Sequence, residues 1–235
     1  MILGLIPARG GSKGLPNKNK ITVGGLPLLS WTIRTSLACQ RIDRLILSTD
    51  DECLAEIARA EGCEVPFMRP SSLASDTASS ASVVLHALSE IGSEYDGVVF
   101  LQPTSPLRSV VDIETALDLY IDNDFTKNVV SFVNTKFSPS TLYSMNSDSG
   151  ISRVFPSSPG FTRRQDAKSF LLPSGAIYVL NPRSFLESND FIDNDTLPLV
   201  IPSSRSLDID TQVDLDYLNF LVQYNPELIP PPVAR

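Results

Sequence analysis

Apolar positions along this chain fall into two rhythms that take turns. The short, nearly unbroken apolar runs ILGLI (2–6), RLILSTD (44–50), DGVVFLQ (96–102) and NVVSFV (128–133) predict strands buried on both faces. Between them, LLSWTIRTSLACQ (28–40), DECLAEIARAEG (51–62), SSASVVLHALSEIG (79–92) and VVDIETALDLYIDND (110–124) repeat apolar residues at helical spacing. The second of these helices opens on acidic residues and closes on Gly62, as helix ends prefer. For the third, Ser75, Asp76 or Thr77 is the expected cap. Strand and helix in alternation predict an α/β fold with a mainly parallel sheet covered on both faces. Ligands of such sheets bind beyond the carboxyl ends of the strands.

From about 134 to 172 the rhythm fails in a Ser- and Pro-rich stretch that carries Arg163 and Arg164. An inserted lobe fits this stretch better than another βαβ unit, since so long a structureless loop is uncommon. The strand pattern resumes at GAIYVL (175–180) and LPLVIP (197–202). SLDIDTQVDLDYLNFLVQ (206–223) then reads as a strand-like start leading into a terminal helix, followed by an exposed proline-rich tail, IPPPVAR. A chain of 235 residues without internal repeats is expected to form one domain, 1–235, around a sizeable core.

The net charge of -8 argues against partners with phosphate backbones or anionic membrane surfaces. Any small anionic ligand must therefore be met by local cations. The three cysteines, Cys39, Cys53 and Cys63, lack paired metal-ligand spacing and read as thiols of a reducing compartment. Pro7 and Arg9 interrupt the apolar start before it resembles a signal peptide, and no run reaches membrane-spanning length. A cytoplasmic location is the expectation. His86, the single histidine, sits in a helical apolar pattern and reads as structural, which with no Cys–His grouping argues against zinc catalysis and histidine-based triads.

The unusual stretches lie where strands end. ARGGSKGLPNKN (8–19) follows the first strand, and its glycines let backbone N–H groups turn toward an anion. Arg9, Lys13 and Lys18 add charge there; at an effective dielectric of about 20, a cation ~4 Å from a phosphate charge gains roughly 4 kcal/mol before desolvation. The loop matches neither the Walker A pattern nor GxGxxG. A solvated basic turn and a polyphosphate loop both remain open on this stretch alone. In SLDIDT, an extended backbone puts Asp208 and Asp210 on one face and Ile209 on the other. Two carboxylates completed by phosphate oxygens and water suit Mg²⁺, although Asp210 or Thr211 also suits a helix cap. QPTSPLR (102–108) is a proline-braced loop offering Gln102, Thr104, Ser105 and Arg108 to a polyhydroxy ligand, and it also reads as an ordinary turn. In RPSSLASDTASS (69–80), Arg69 has the donors that a cytosine edge accepts.

Together, ARGGSKGLPNKN, RPSSLASDTASS, LQPTSPLR, RQDAKSFLLPSGAIY and SLDIDT resemble, in order and spacing, the acylneuraminate cytidylyltransferase family. The resemblance covers nearly the whole chain. It implies a Rossmann-like nucleotidyltransferase sandwich, Mg²⁺ as cofactor, and a homodimer in which the inserted lobe at about 134–172 reaches the partner's site. It implies transfer of CMP from CTP to the anomeric hydroxyl of a nine-carbon 2-keto acid sugar. Carried onto matching positions, Arg9 and Lys13 would hold the triphosphate, with Lys18 nearby and Asn19 on the nucleotide. Arg69, Ala78 and Ser80 would surround cytosine and ribose. Gln102, Arg164, Tyr178 and Phe191 would line the sugar pocket, and Asp208 and Asp210 would hold the metal. In the chemistry this suggests, either the metal acidifies the attacking hydroxyl or Asp210 accepts its proton directly. Thr141 stands where sialate-using relatives commonly have a basic residue, and Ser174 where Asn is usual. The sugar is therefore left open among sialic acid, legionaminate, pseudaminate and the deaminated sugar. A metal-dependent glycosyltransferase, which also joins such a sheet to DxD, and a catalytically silent nucleotide binder are the competing readings.

Overall fold

The computed structural model describes residues 1–12, 14–135, 139–147, 149–155 and 170–232. In chain order the strands are β1 (Ile2–Pro7), β2 (Thr22–Val23), β3 (Leu26–Pro27), β4 (Arg44–Ser48), β5 (Gly97–Phe100), β6 (Val129–Thr135), β7 (Tyr143–Met145), β8 (Ile151–Arg153), β9 (Phe170–Leu180) and β10 (Leu197–Val200). The helices are α1 (Leu28–Ala38), α2 (Glu52–Glu61), α3 (Ser80–Ile91), α4 (Val110–Ile121), α5 (Pro182–Ser188) and α6 (Gln212–Tyr224).

A six-stranded sheet in the order β10-β6-β9-β5-β1-β4 forms the centre. β1 pairs in parallel with β4 and β5, and β10 in parallel with β6, while β9 runs antiparallel to both β5 and β6. The apolar strands divide their side chains by the period of two. Ile2 and Ile6 of β1, Leu45 and Leu47 of β4 and Val99 of β5 enter the core under α1, α2 and α4. Leu3, Leu5, Ile46, Val98 and Phe100 enter the opposite core with Val84, Ala87 and Leu88 of α3 and Phe185 of α5. A third cluster joins Leu15, Trp31 and Leu107 to Ile209, Leu215 and Leu218, so the front of α6 and the loop after β1 share one apolar base.

Local chemistry places the ends of the helices. Asp51 caps α2 by accepting from Leu54 N, and Gly62 ends it at φ 93°. α4 and α6 each open on a capping box, Ser109 with Asp112 and Thr211 with Asp214. Thr211, rather than Asp210, is therefore the cap of the terminal helix, which leaves Asp210 outside it. The cap expected for α3 is displaced: Ser79 accepts from Ser82 N, while Ser75, Asp76 and Thr77 stay in a preceding turn. The strand-like start expected at SLDIDT is not part of the sheet. Residues 207–210 form no regular element and attach through Ile209 N–H, which donates to Thr104 O at 2.8 Å. The strand expected at 175–180 begins earlier, at Phe170, and is antiparallel to its neighbours. Within the stretch read as an inserted lobe, β7 and β8 form a separate two-stranded hairpin. No described helix is long and apolar enough to cross a membrane.

Ile209 is fully buried between two carboxylates that are not, so it is the anchor that holds the acidic segment to the fold. Ile209→Ala should cost about 2–5 kcal/mol in urea unfolding. A loss well under 1 kcal/mol would show that the segment is held by other means.

Candidate active site

The carboxyl ends of β1, β4 and β5 open onto one cleft, with β1 central where the strand order turns back. The loop after β1 is laced to its surroundings by backbone and side chain. Ala8 N–H donates to Ser48 O at 3.0 Å, Gly10 N–H to Asp50 Oδ1 at 2.9 Å, and Lys20 Nζ to Asp51 Oδ2 at 2.7 Å. Asn19 Nδ2 donates to Arg9 O at 3.1 Å and closes the loop on itself. Lys18 Nζ reaches Asp210 Oδ1 at 2.8 Å. At Gly14 a Cβ would lie 2.4 Å from the carbonyl oxygen of Asp210, so only glycine lets the two segments approach this closely.

A cavity of about 370 Å³ results, and Arg9, Lys18, Asn19, Arg69, Ala78, Ser80, Gln102, Asp208 and Asp210 all line it. A second cavity of about 250 Å³ adjoins, lined by Ser80, Phe100, Gln102, Pro173, Tyr178, Asp190, Phe191 and Ile192. Ser80 and Gln102 face both. Phe191 packs against Tyr178 and Phe100 with ring centroids 5.1 and 5.3 Å apart, which gives the second cavity an aromatic wall. Two of the expected site residues, Lys13 and Arg164, lie outside the described residues.

Charge in the cleft is unevenly committed. Arg9 Nη1 pairs with Asp76 Oδ1 at 2.8 Å and also donates to Ala74 O at 3.4 Å. Arg69 is buried, and its guanidinium donates to Ser48 Oγ, Ser48 O and Leu73 O. Burial holds its pKa down to about 10; Asp50 opposes the fall and Arg9 adds to it. Arg69 thus braces the wall that it lines, a task its place in RPSSLASDTASS did not reveal. Asp208 stays open to the cleft, yet the protein around its carboxyl desolvates it and raises its pKa. The Thr104 hydroxyl and Lys18 oppose that rise, and the charges of Asp210 and Asp214 add to it. Tyr178 is raised as well, by burial first and by Asp208 second.

These surroundings fit a hard dication. Asp208 and Asp210 supply oxygen donors to one cavity, and desolvation first, with the charges of Asp210 and Asp214 adding to it, disfavours a bare carboxylate at Asp208. No third His, Cys, Asp or Glu joins them among the described residues, so water or ligand oxygens would have to complete the shell. The two departures noted in the sequence separate in space. Ser174 Oγ is turned into the sheet, 2.6 Å from Ser131 Oγ, and braces the irregularity between Val130 and Phe132. Thr141 lies exposed ahead of the β7–β8 hairpin. Asp50, Asp76 and Asp190 were not singled out in the sequence as site residues. Asp190 had one signal, its adjacency to Phe191; the partners of Asp50 and Asp76 lie in other loops.

Comparison with known proteins adds a family to this geometry. A cytidylyltransferase family profile matches residues 3–180. The N-acylneuraminate cytidylyltransferase of Escherichia coli O18:K1:H7 is 34% identical over 215 residues, which are 92% of this chain and 50% of that protein. The chain therefore spans about half the length of that relative. The CMP-N,N'-diacetyllegionaminic acid synthase of Legionella pneumophila is 31% identical over 234 residues, 97% of this chain and 99% of that protein. In fold, the chain is similar to a solved CMP:2-keto-3-deoxy-manno-octonic acid synthetase complexed with CTP, with a TM-score of 0.70 at 19% identity over 95% of this chain and 98% of that one.

The Arg9–Asp76 pair occupies a cation that an anionic ligand would need. Asp76→Asn should tighten binding of inorganic pyrophosphate by about tenfold, the scale of one charge contact in a partly solvated site, read by titration calorimetry. Weaker binding in that variant would mean that Asp76 assists the anion rather than competing with it.

Proposed function

The chain belongs to the cytidylyltransferase family, and from that premise we propose that it transfers CMP from CTP to the anomeric hydroxyl of a nine-carbon 2-keto acid sugar. The observation that carries the reading is the closure of the first loop on the acidic segment, with Lys18 Nζ 2.8 Å from Asp210 Oδ1 beside a cavity that Arg9 and Asp208 share. A triphosphate needs cations on its phosphates and a carboxylate pair for its metal, and here both face one space.

In the proposed reaction the sugar hydroxyl attacks the α-phosphorus of CTP. The new P–O bond forms as the bond to the β-phosphate oxygen breaks, and pyrophosphate leaves with the negative charge. The hydroxyl proton passes to Asp210 or to water. Arg9 and Lys18, with Lys13 by its place in ARGGSKG, neutralise the departing pyrophosphate. Mg²⁺ held by Asp208 and Asp210 would, when bound, supply further charge neutralisation and acidify the hydroxyl. Asn19, Arg69, Ala78 and Ser80 surround the nucleoside, and the aromatic wall of Tyr178 and Phe191 receives the sugar next to Gln102. Arg164 is assigned to the sugar carboxylate, which a planar guanidinium fork matches. Which nine-carbon acid is used turns on the second cavity, where Asp190 and Ile192 join the expected residues.

A homodimer is part of the proposal. Tyr143, Met145, Ile151 and Phe155 expose apolar surface on and just after the β7–β8 hairpin, a density unusual for a surface without a partner. A cytoplasmic setting, where CTP is made, suits the cysteines, which are all free: Cys39 and Cys63 are buried and Cys53 is exposed.

Pyrophosphate release from CTP with free nine-carbon keto-acid sugars and Mg²⁺ tests the reaction. Release should depend on CTP over the other nucleotides; silence with every sugar would refute the activity and favour simple nucleotide binding. Arg9→Ala and Asp210→Asn should each lower turnover by about 10² or more. Met145→Asp should shift the chain toward monomer in sedimentation, and an unchanged mass would place the interface elsewhere.

A further inference from the structure

Arg108 ends the QPTSPLR loop, and the proposed reaction makes no use of it. It is 3% exposed. Asp112, the carboxylate whose charge it feels, is held instead by Arg205 in two contacts of 2.8 Å. The Arg108 guanidinium donates to neutral oxygens on three separate elements. Nη2 reaches Thr32 Oγ1 in α1 at 2.8 Å, both terminal nitrogens reach Gln102 O at 3.3 and 3.4 Å, and Nη1 also holds Ala176 O in β9. Nε is buried with no hydrogen-bond partner among the described residues. A buried charge without a carboxylate partner is costly to keep, and a neutral donor could serve any one of these oxygens. Only a planar fork serves all of them together.

What the fork holds is the joint between the two cavities. Gln102 lines both. Its side chain rests on Gly175, where φ is 76° and a Cβ would lie 3.1 Å from Gln102 Oε1. Arg108 therefore grips Gln102 by its own carbonyl and Gly175 through the next residue's carbonyl. We infer that Arg108 is a positioning residue: it fixes Gln102 against the Gly175–Ala176 turn and so sets the approach of the sugar to the nucleotide, without touching either ligand. The inference rests on the activity proposed above. Burial pushes the Arg108 pKa down to about 9, with Asp112 opposing, so the group keeps its charge at neutral pH.

The test separates positioning from stability. Arg108→Met keeps the side-chain bulk and removes every donor. In the folded variant, CTP affinity by calorimetry should stay within about twofold, while kcat/KM for the sugar falls by about 10², the scale of a misplacement near 1 Å. Arg108→Lys, whose single ammonium cannot hold both carbonyls, should show the same split at smaller size and carries the test if Arg108→Met does not fold. CTP affinity falling in step with turnover, or wild-type kinetics in a folded variant, would overturn the inference. The unaltered chain is assayed beside them: if it releases no pyrophosphate, the activity itself fails, whereas an active wild type matched by an active Arg108→Met counts against Arg108 alone.

Discussion

The position that a Cβ of residue 14 would take is occupied, 2.4 Å away, by the backbone oxygen of Asp210. That approach brings the glycine- and lysine-rich loop after β1 against a segment almost two hundred residues later, and the rest of the cleft is arranged around it. Lys18 reaches Asp210 across the contact, and Ile209 sits beneath it in the same apolar cluster as Leu15 and Trp31. The hydrogen bond from Ile209 N to Thr104 O then brings in the loop after β5. Cations, carboxylates and the Gln102 loop thus share one mechanical base, and opposite charges are presented to a single space without either being buried unpaired.

Much of this was readable from the chain because it depends on period and on local chemistry. β1, β4, β5 and β6 appear as buried apolar runs, and α2 ends at its glycine, since these signals lie within a few residues of one another. The direction of β9 was not readable. A strand buried between β5 and β6 has the same composition whichever way it runs, and its antiparallel course follows from the path of the connection. The α3 cap was missed for a related reason: Ser75, Asp76, Thr77 and Ser79 are all good caps, and tertiary contacts choose among them. Asp76 faces Arg9, sixty-seven positions away, and is held outside the helix.

The candidate site shows the same division. Residues that line the cavity sit in stretches of odd composition, and those stretches could be found by eye. The side chains that hold them in place look ordinary in sequence. Arg69 was visible as a basic residue, while its grip on Ser48 and Leu73 arises only from the fold. Ser174 stood out as a departure near the sugar side, yet its hydroxyl points to Ser131 inside the sheet. In this chain, residue type marks where the cleft lies, and topology decides which neighbours hold it in place.

The pairing of β6 with β9 has a further consequence. Thr135 stands opposite Phe170 in register, so the whole excursion between them leaves and re-enters the sheet through one closed β rung. Lengthening such a loop adds only a slowly growing entropic cost and moves no core strand. The excursion departs from the end of the sheet that bears the cleft. Insertions or deletions between Thr135 and Phe170 therefore leave the strands that frame the cleft in register.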